Sequence, residues 1–214
     1  MQRPHLLTAL VALFVISLAA VSPAHPTPSP YPISWELKFE HGAPQRIEVT
    51  PRGGGASEAY WYITFTIANL GRQDQMFLPV FELLTEDGDV IRSDKGIGKV
   101  VLEAIRVREK NPHLESVTAV GGSLRVGEDQ AKEGVAIWKE PNPKMGTFSI
   151  FVTGLSGEAV MLKDSSGKVV EKTVDGKKMP IFLRKTLQLD YRVAGDEKST
   201  GNEARALQES WVMR

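Results

Sequence analysis

Apolar and polar residues alternate with a period of two along much of this chain, and that rhythm excludes most folds at once. Successive side chains of a strand point to opposite faces, so strict alternation marks a sheet with one buried face, whereas a helix repeats every 3.6 residues. Trp35, Leu37 and Phe39 interleave with Glu36, Lys38 and Glu40. Residues 45–49 predict a second strand, and the run Pro51-Arg52-Gly53-Gly54-Gly55 breaks the pattern as a loop. Residues 60–69 form the strongest strand signal. There Trp61, Ile63, Phe65 and Ile67 take one face while Tyr60, Tyr62, Thr64, Thr66 and Ala68 take the other, and nearly every residue is aromatic or β-branched.

Two later segments, residues 81–91 and 160–170, run from an apolar strand through an acidic, glycine-containing turn into β-branched residues, and both read as hairpins. Asp175-Gly176-Lys177-Lys178 supplies a third turn of the same chemistry. Further strands are predicted at 117–120, 123–126, 134–139, 147–153 and 185–193. Many short strands separated by Gly, Pro and Asp turns predict an all-β antiparallel sandwich or barrel. One helix is expected at residues 97–110, where Ile97, Val101, Ala104 and Ile105 form a stripe and Asn111-Pro112 is a stop signal, although Val101, Ile105 and Val107 also fit a strand. Residues 202–214 suit either a capped helix or a final strand through Trp211 and Met213.

The N-terminus adds an address. Arg3 precedes an apolar run over residues 6–21, and Ser22-Pro23-Ala24 offers small residues for cleavage, which is the order of a signal peptide over residues 1–24. The alternative is an uncleaved anchor, because sixteen residues is only slightly short of a bilayer span. The expected compartment is therefore periplasmic or extracellular. Residues 25–33, with proline at every second position from 26 to 32, predict a stiff extended spacer. A sandwich domain over residues 34–195 and a C-terminal extension over 196–214 complete the expected organisation.

Removing residues 1–24 leaves 25 basic and 26 acidic side chains. Near-neutrality argues against broad nucleic-acid binding and against a simple polybasic membrane contact, since both need a surplus of Lys and Arg. Residues 92–110 and 163–185 mix both signs and read as solvated faces. The chain has no cysteine, which removes disulfides, thiol catalysis and thiolate metal sites and leaves packing to stabilise an exported fold.

Residues 60–69, followed by Gly71 and by 77–90 with the Asp87-Gly88 turn, resemble the strand pairing of exported bacterial immunoglobulin-like sandwich domains. Residues 134–138, 148–154 and 184–191 are similar to the second half of such a sandwich, without the Cys, Trp, Cys spacing of antibody domains. The resemblance implies an immunoglobulin-like fold and carries no catalytic residue over.

No constellation specifies a reaction, and no cofactor is expected. His25, His41 and His113 lack ligand spacing, and the latter two read as exposed turn residues. Gly154-Leu155-Ser156-Gly157 is one residue short of a nucleophile elbow, and Gly121-Gly122-Ser123 reads as a turn. The acidic turn holding Asp87 and Asp89 is a weak calcium candidate without a 12-residue ligand loop. Aromatics give the binding candidates. If Trp61, Ile63 and Phe65 fill the core, Tyr60 and Tyr62 point outward to stack on a sugar or anchor a protein, unless the strand is buried on both faces. Trp138, before a proline loop, is either a ligand platform or a core cap. The expected function is an exported, non-catalytic envelope module, structural or binding a protein or glycan. The alternatives are a hydrolase or carbohydrate-active enzyme whose carboxylates converge only in the fold, and an assembly subunit pairing through an edge strand.

Overall fold

The computed structural model describes residues 25–51, 53–141, 145–193 and 204–214. The segment read as a signal peptide lies outside them. In chain order the elements are β1 (Lys38–His41), β2 (Gln45–Val49), β3 (Glu58–Asn69), β4 (Gln75–Phe77), β5 (Val80–Thr85), β6 (Val90–Arg92), α1 (Lys99–Glu109), β7 (Glu115–Ser116) and α2 (Val117–Val120). There follow β8 (Gly122–Leu124), β9 (Gly127–Lys139), β10 (Thr147–Thr153), β11 (Ala159–Met161), β12 (Glu171–Val174), β13 (Lys177–Pro180), β14 (Phe182–Val193) and β15 (Ala204–Met213). The chain is mostly β and its sheets are built by antiparallel pairing, apart from the short parallel contact of β7 with β9.

Two sheets share one core. The first runs β1-β3-β9-β7, with β2 also along β3, and the second runs β11-β14-β10-β5-β6, with β15 along β14. Trp61, Ile63, Phe65 and Ile67 of β3 pack with Phe81 and Leu83 of β5, Phe148, Ile150 and Val152 of β10, and Leu187 and Leu189 of β14. Alternation therefore assigns the inner face of β3 correctly. Across the β3–β9 pair Phe65 stands opposite Gly134, and a Cβ there would lie 2.3 Å from the ring, so glycine is what lets Phe65 lie flat.

The other face of β3 is also covered. Helix α1 lays Val101 and Ile105 on Tyr60, Tyr62, Val135 and Ile137, making a second core outside the first sheet. The 97–110 segment is thus a helix, trimmed to residues 99–109 and closed by Lys110 in the left-handed region. The segment at 117–120, expected as a strand, is instead one helical turn. Ser116 accepts the Ala119 N–H at its start, Asp94 accepts the Val117 N–H, and Val117 and Val120 are buried three residues apart. The hairpin turns at Asp87-Gly88 and Asp175-Gly176 form as expected, the latter joining β12 to β13 with both turn residues at positive φ.

The ends of the chain depart from the expected division. Residues 204–213 are a strand paired along β14 from Val193 to Lys185, so a boundary at 195 falls inside the second sheet. The proline segment does not stand clear of the fold as a spacer. The Ser29 N–H donates to Glu158 Oε1 at 2.8 Å, and Lys185, buried at the end of β14, reaches Glu36 Oε2 at 2.8 Å. Residues 35–37, which follow the proline segment, complete a strap with it over residues 29–37, the Gly157 N–H donating to Trp35 C=O and the Leu37 N–H to Leu155 C=O in the loop before β11.

Candidate functional site

Where α1 ends, the outer face of the first sheet opens. Tyr60 and Tyr62 are roofed by the helix, but Thr64 and Thr66, the next outward residues of β3, lie beyond its last turn and line a cleft of about 230 Å3 with Glu40, Glu109, Asn111 and Glu133. A second depression of about 500 Å3 adjoins it along Thr66 and Glu133 and is lined by His113, Glu115 and Lys132. Together they form a polar groove across β1, β3, β9 and β7.

Its electrostatics favour cations. Among the described residues none of Glu109, Glu115 and Glu133 stands in an ion pair, whereas Glu40 is paired with Lys38 at 3.1 Å. The carbonyl end of α1 also faces this region, and a helix C-terminus carries partial negative charge. Three nearby basic side chains are engaged elsewhere. Arg106 donates to Leu114 C=O and Glu103, Arg108 donates to Arg46 C=O, and Lys132 Nζ donates to Val120 C=O at 3.0 Å. The carboxylates are held in place from within: Asn111 Nδ2 donates to Glu133 at 2.9 Å, and the Tyr62 hydroxyl donates to Glu109 at 2.5 Å.

The binding and calcium candidates singled out from sequence lie elsewhere, whereas His41 and His113 line the groove. Tyr60 and Tyr62 are 7% and 1% exposed, so the outward exposure that stacking requires is absent and this half of the strand is buried on both faces. Their hydroxyls are used internally, Tyr60 donating to Glu58 at 2.6 Å. Burial, followed by the hydrogen bond to Glu58, pushes the Tyr60 hydroxyl up to about 12, and burial with Glu109 beside it pushes Tyr62 higher still. Trp138 is 1% exposed, sits opposite Trp61 and donates Nε1–H to Ile91 C=O at 3.0 Å, which makes it a core residue and leaves no face for a ligand. Asp87 and Asp89 are exposed in a hairpin turn closed by Thr85, and no group of three or more potential metal ligands occurs among the described residues. His113 is an exposed turn residue, as expected. His41 is not: it belongs to β1, its side chain is 19% exposed, and it reaches across to Tyr191 at 3.4 Å and Glu209 at 3.7 Å.

Sequence reading missed Glu109, Glu115 and Glu133 because they come from a helix end and two different strands. The signal that points to them is indirect. A helix with the buried stripe Val101 and Ile105 needs an apolar partner, and the Tyr60–Tyr62 half of β3 is the complementary face, which leaves the threonine half open.

Asp94 is a further residue that the alternation did not reveal. It holds φ of 61°, and its carboxylate accepts the Val117 and Ile137 N–H groups at 2.8 and 3.2 Å. Burial raises its pKa and these bonds oppose the rise. Both oxygens are occupied in joining α2 to β9, a structural use.

Comparison with protein-family models, with curated proteins and with solved structures found no match to this chain.

Proposed function

We propose that this chain is an exported, non-catalytic module of the cell envelope, with an immunoglobulin-like sandwich as its scaffold, that binds a cationic, hydroxyl- or amine-bearing ligand in the groove beside α1. The ligand class is an amino-bearing glycan or a basic protein segment. The observation that carries the reading is the convergence of Glu109, Glu115 and Glu133 on one open polar surface without basic partners among the described residues. Export is supported by the apolar run and small residues of the first 24 positions.

Convergent carboxylates are also what a carbohydrate-active enzyme needs, so the same groove favours that second reading. Incubation of the chain with chitosan oligosaccharides separates them. The binding module retains the oligosaccharide without releasing reducing ends, and Glu133→Gln, which keeps an acceptor for Asn111, weakens retention about tenfold, equivalent to about 1.4 kcal/mol. Raised salt weakens it further. Reducing ends that appear with the native chain and vanish in Glu133→Gln establish the enzyme instead, and retention unaffected by the substitution removes the groove from both readings.

A further inference from the structure

The hairpin β12–β13 belongs to neither core. Its strands pair only with each other among the described residues, and residues 171–179 are all exposed. Register decides what its faces carry. Lys172 stands opposite Met179 and Val174 opposite Lys177, and alternation places these four on one face, while Glu171, Pro180, Thr173 and Lys178 share the other. One face therefore combines two lysines with two exposed apolar side chains, Val174 at 39% and Met179 at 48%, and holds no acid. The whole arm from residue 159 to 184 carries six basic and three acidic residues, a local surplus inside a chain that is neutral overall. Met161 and Phe182, cross-strand partners at its base, are 46% and 51% exposed.

The arm's position adds a second, independent argument. Its ladder continues outward from the Lys185 N–H to Glu158 C=O bond through Leu162 N–H to Ile181 C=O, ending at Asp175-Gly176. At about 3.3 Å per residue the tip lies about 30 Å beyond Lys185. Glu158 is also where the strap is tied, through the Ser29 N–H. Residues 25–28 can span at most about 14 Å, and the apolar run at 6–21 precedes them. The arm and residues 25–29, the first of the described chain, thus meet the fold at the same end of the molecule.

We propose that the Lys172, Val174, Lys177 and Met179 face of this hairpin lies on an anionic lipid bilayer, with the lysines at the headgroups and Val174 and Met179 in the interface. Lysine attracts the negative surface, and flanking apolar side chains add burial that a soluble polyanion does not offer. The contact is independent of the groove. It refines the near-neutral reading of the composition, because the relevant charge is local.

The test uses the full chain and vesicles of phosphatidylcholine alone or mixed with phosphatidylglycerol. The apolar N-terminal run contributes to both, so the readout is the ratio of the two partition constants. The expected ratio is tenfold or more in favour of anionic vesicles at low salt, falling to near one in Lys172→Glu/Lys177→Glu with the unfolding midpoint unchanged. Val174→Ser/Met179→Ser is expected to reduce partitioning onto anionic vesicles at least threefold while leaving any retention on polyglutamate unchanged. A charge-reversal variant that partitions like the native chain overturns the proposal. So does loss of polyglutamate retention on charge reversal with no effect of the serine pair on vesicles, which makes the hairpin a polyanion site. Glu133→Gln leaves the vesicle ratio unchanged, so failure here and failure of the groove are separable.

Discussion

Replacing Lys185 with methionine is expected to lower the unfolding free energy by about 3–5 kcal/mol, the usual cost of removing one partner from a buried ion pair. The Lys185 side chain is 4% exposed, 2.8 Å from Glu36 and 3.7 Å from Glu158, with its ammonium 4.7 Å from the centre of the Trp211 ring. Methionine fills much the same volume but leaves two carboxylates facing each other without a counter-charge. Glu158→Gln is the contrasting variant. One ammonium serves two carboxylates here, and Glu158 Oε2, though within ion-pair range, has no hydrogen-bond partner. Glutamine keeps the oxygen that accepts the Ser29 N–H, so its effect is expected to stay within about 1 kcal/mol. Urea unfolding midpoints measure both, and a Lys185→Met variant within 1 kcal/mol of the native chain contradicts the role assigned to this cluster in pinning the strap.

Trp138→Ala is expected to cost a similar amount, about 3–5 kcal/mol, through a different cause. The indole is fully enclosed between Trp61 and the second sheet, and truncation leaves a cavity that neighbouring strands cannot close. The Ile91 carbonyl loses its Nε1–H donor as well. The variant also separates packing from recognition. Ligand retention per folded molecule is expected to be unchanged, measured below the unfolding midpoint, whereas a tryptophan acting as a ligand platform loses retention before it loses stability.

Alternation along β3 made the sheet and its inner face legible from sequence, because period two fixes which side chains share a side. It does not say whether the second side meets water. That was decided by α1, inserted between β6 and β7, whose stripe found the Tyr60 and Tyr62 face. Strand β9 was legible only from Gly134 onward. Its first half, Gly127 to Glu133, is polar and carries no alternation, and pairing with β3 alone extends it. At 117–120 two valines suggested a strand, while the Ser116 cap and the distant Asp94 carboxylate made a helical turn. The final strand was ambiguous because Leu207 and Trp211 are four residues apart, a spacing that serves one face of a helix and one face of a strand alike; pairing along β14 selects the strand, with Leu207 the unpaired residue at the register shift beside Asp190/Tyr191. The groove was illegible for a simpler reason: its carboxylates lie on three elements that only the topology brings together.

Hydrogen exchange of the full chain, with and without chitosan oligosaccharide, tests the groove most directly, because it reports where the ligand rests without any substitution. The account predicts slowed exchange in the segments holding Thr64 and Thr66, residues 109–115 and residues 131–133, with the second sheet unchanged. Protection confined to β5, β10 and β14, or to the loops at the far ends of the sheets, contradicts it.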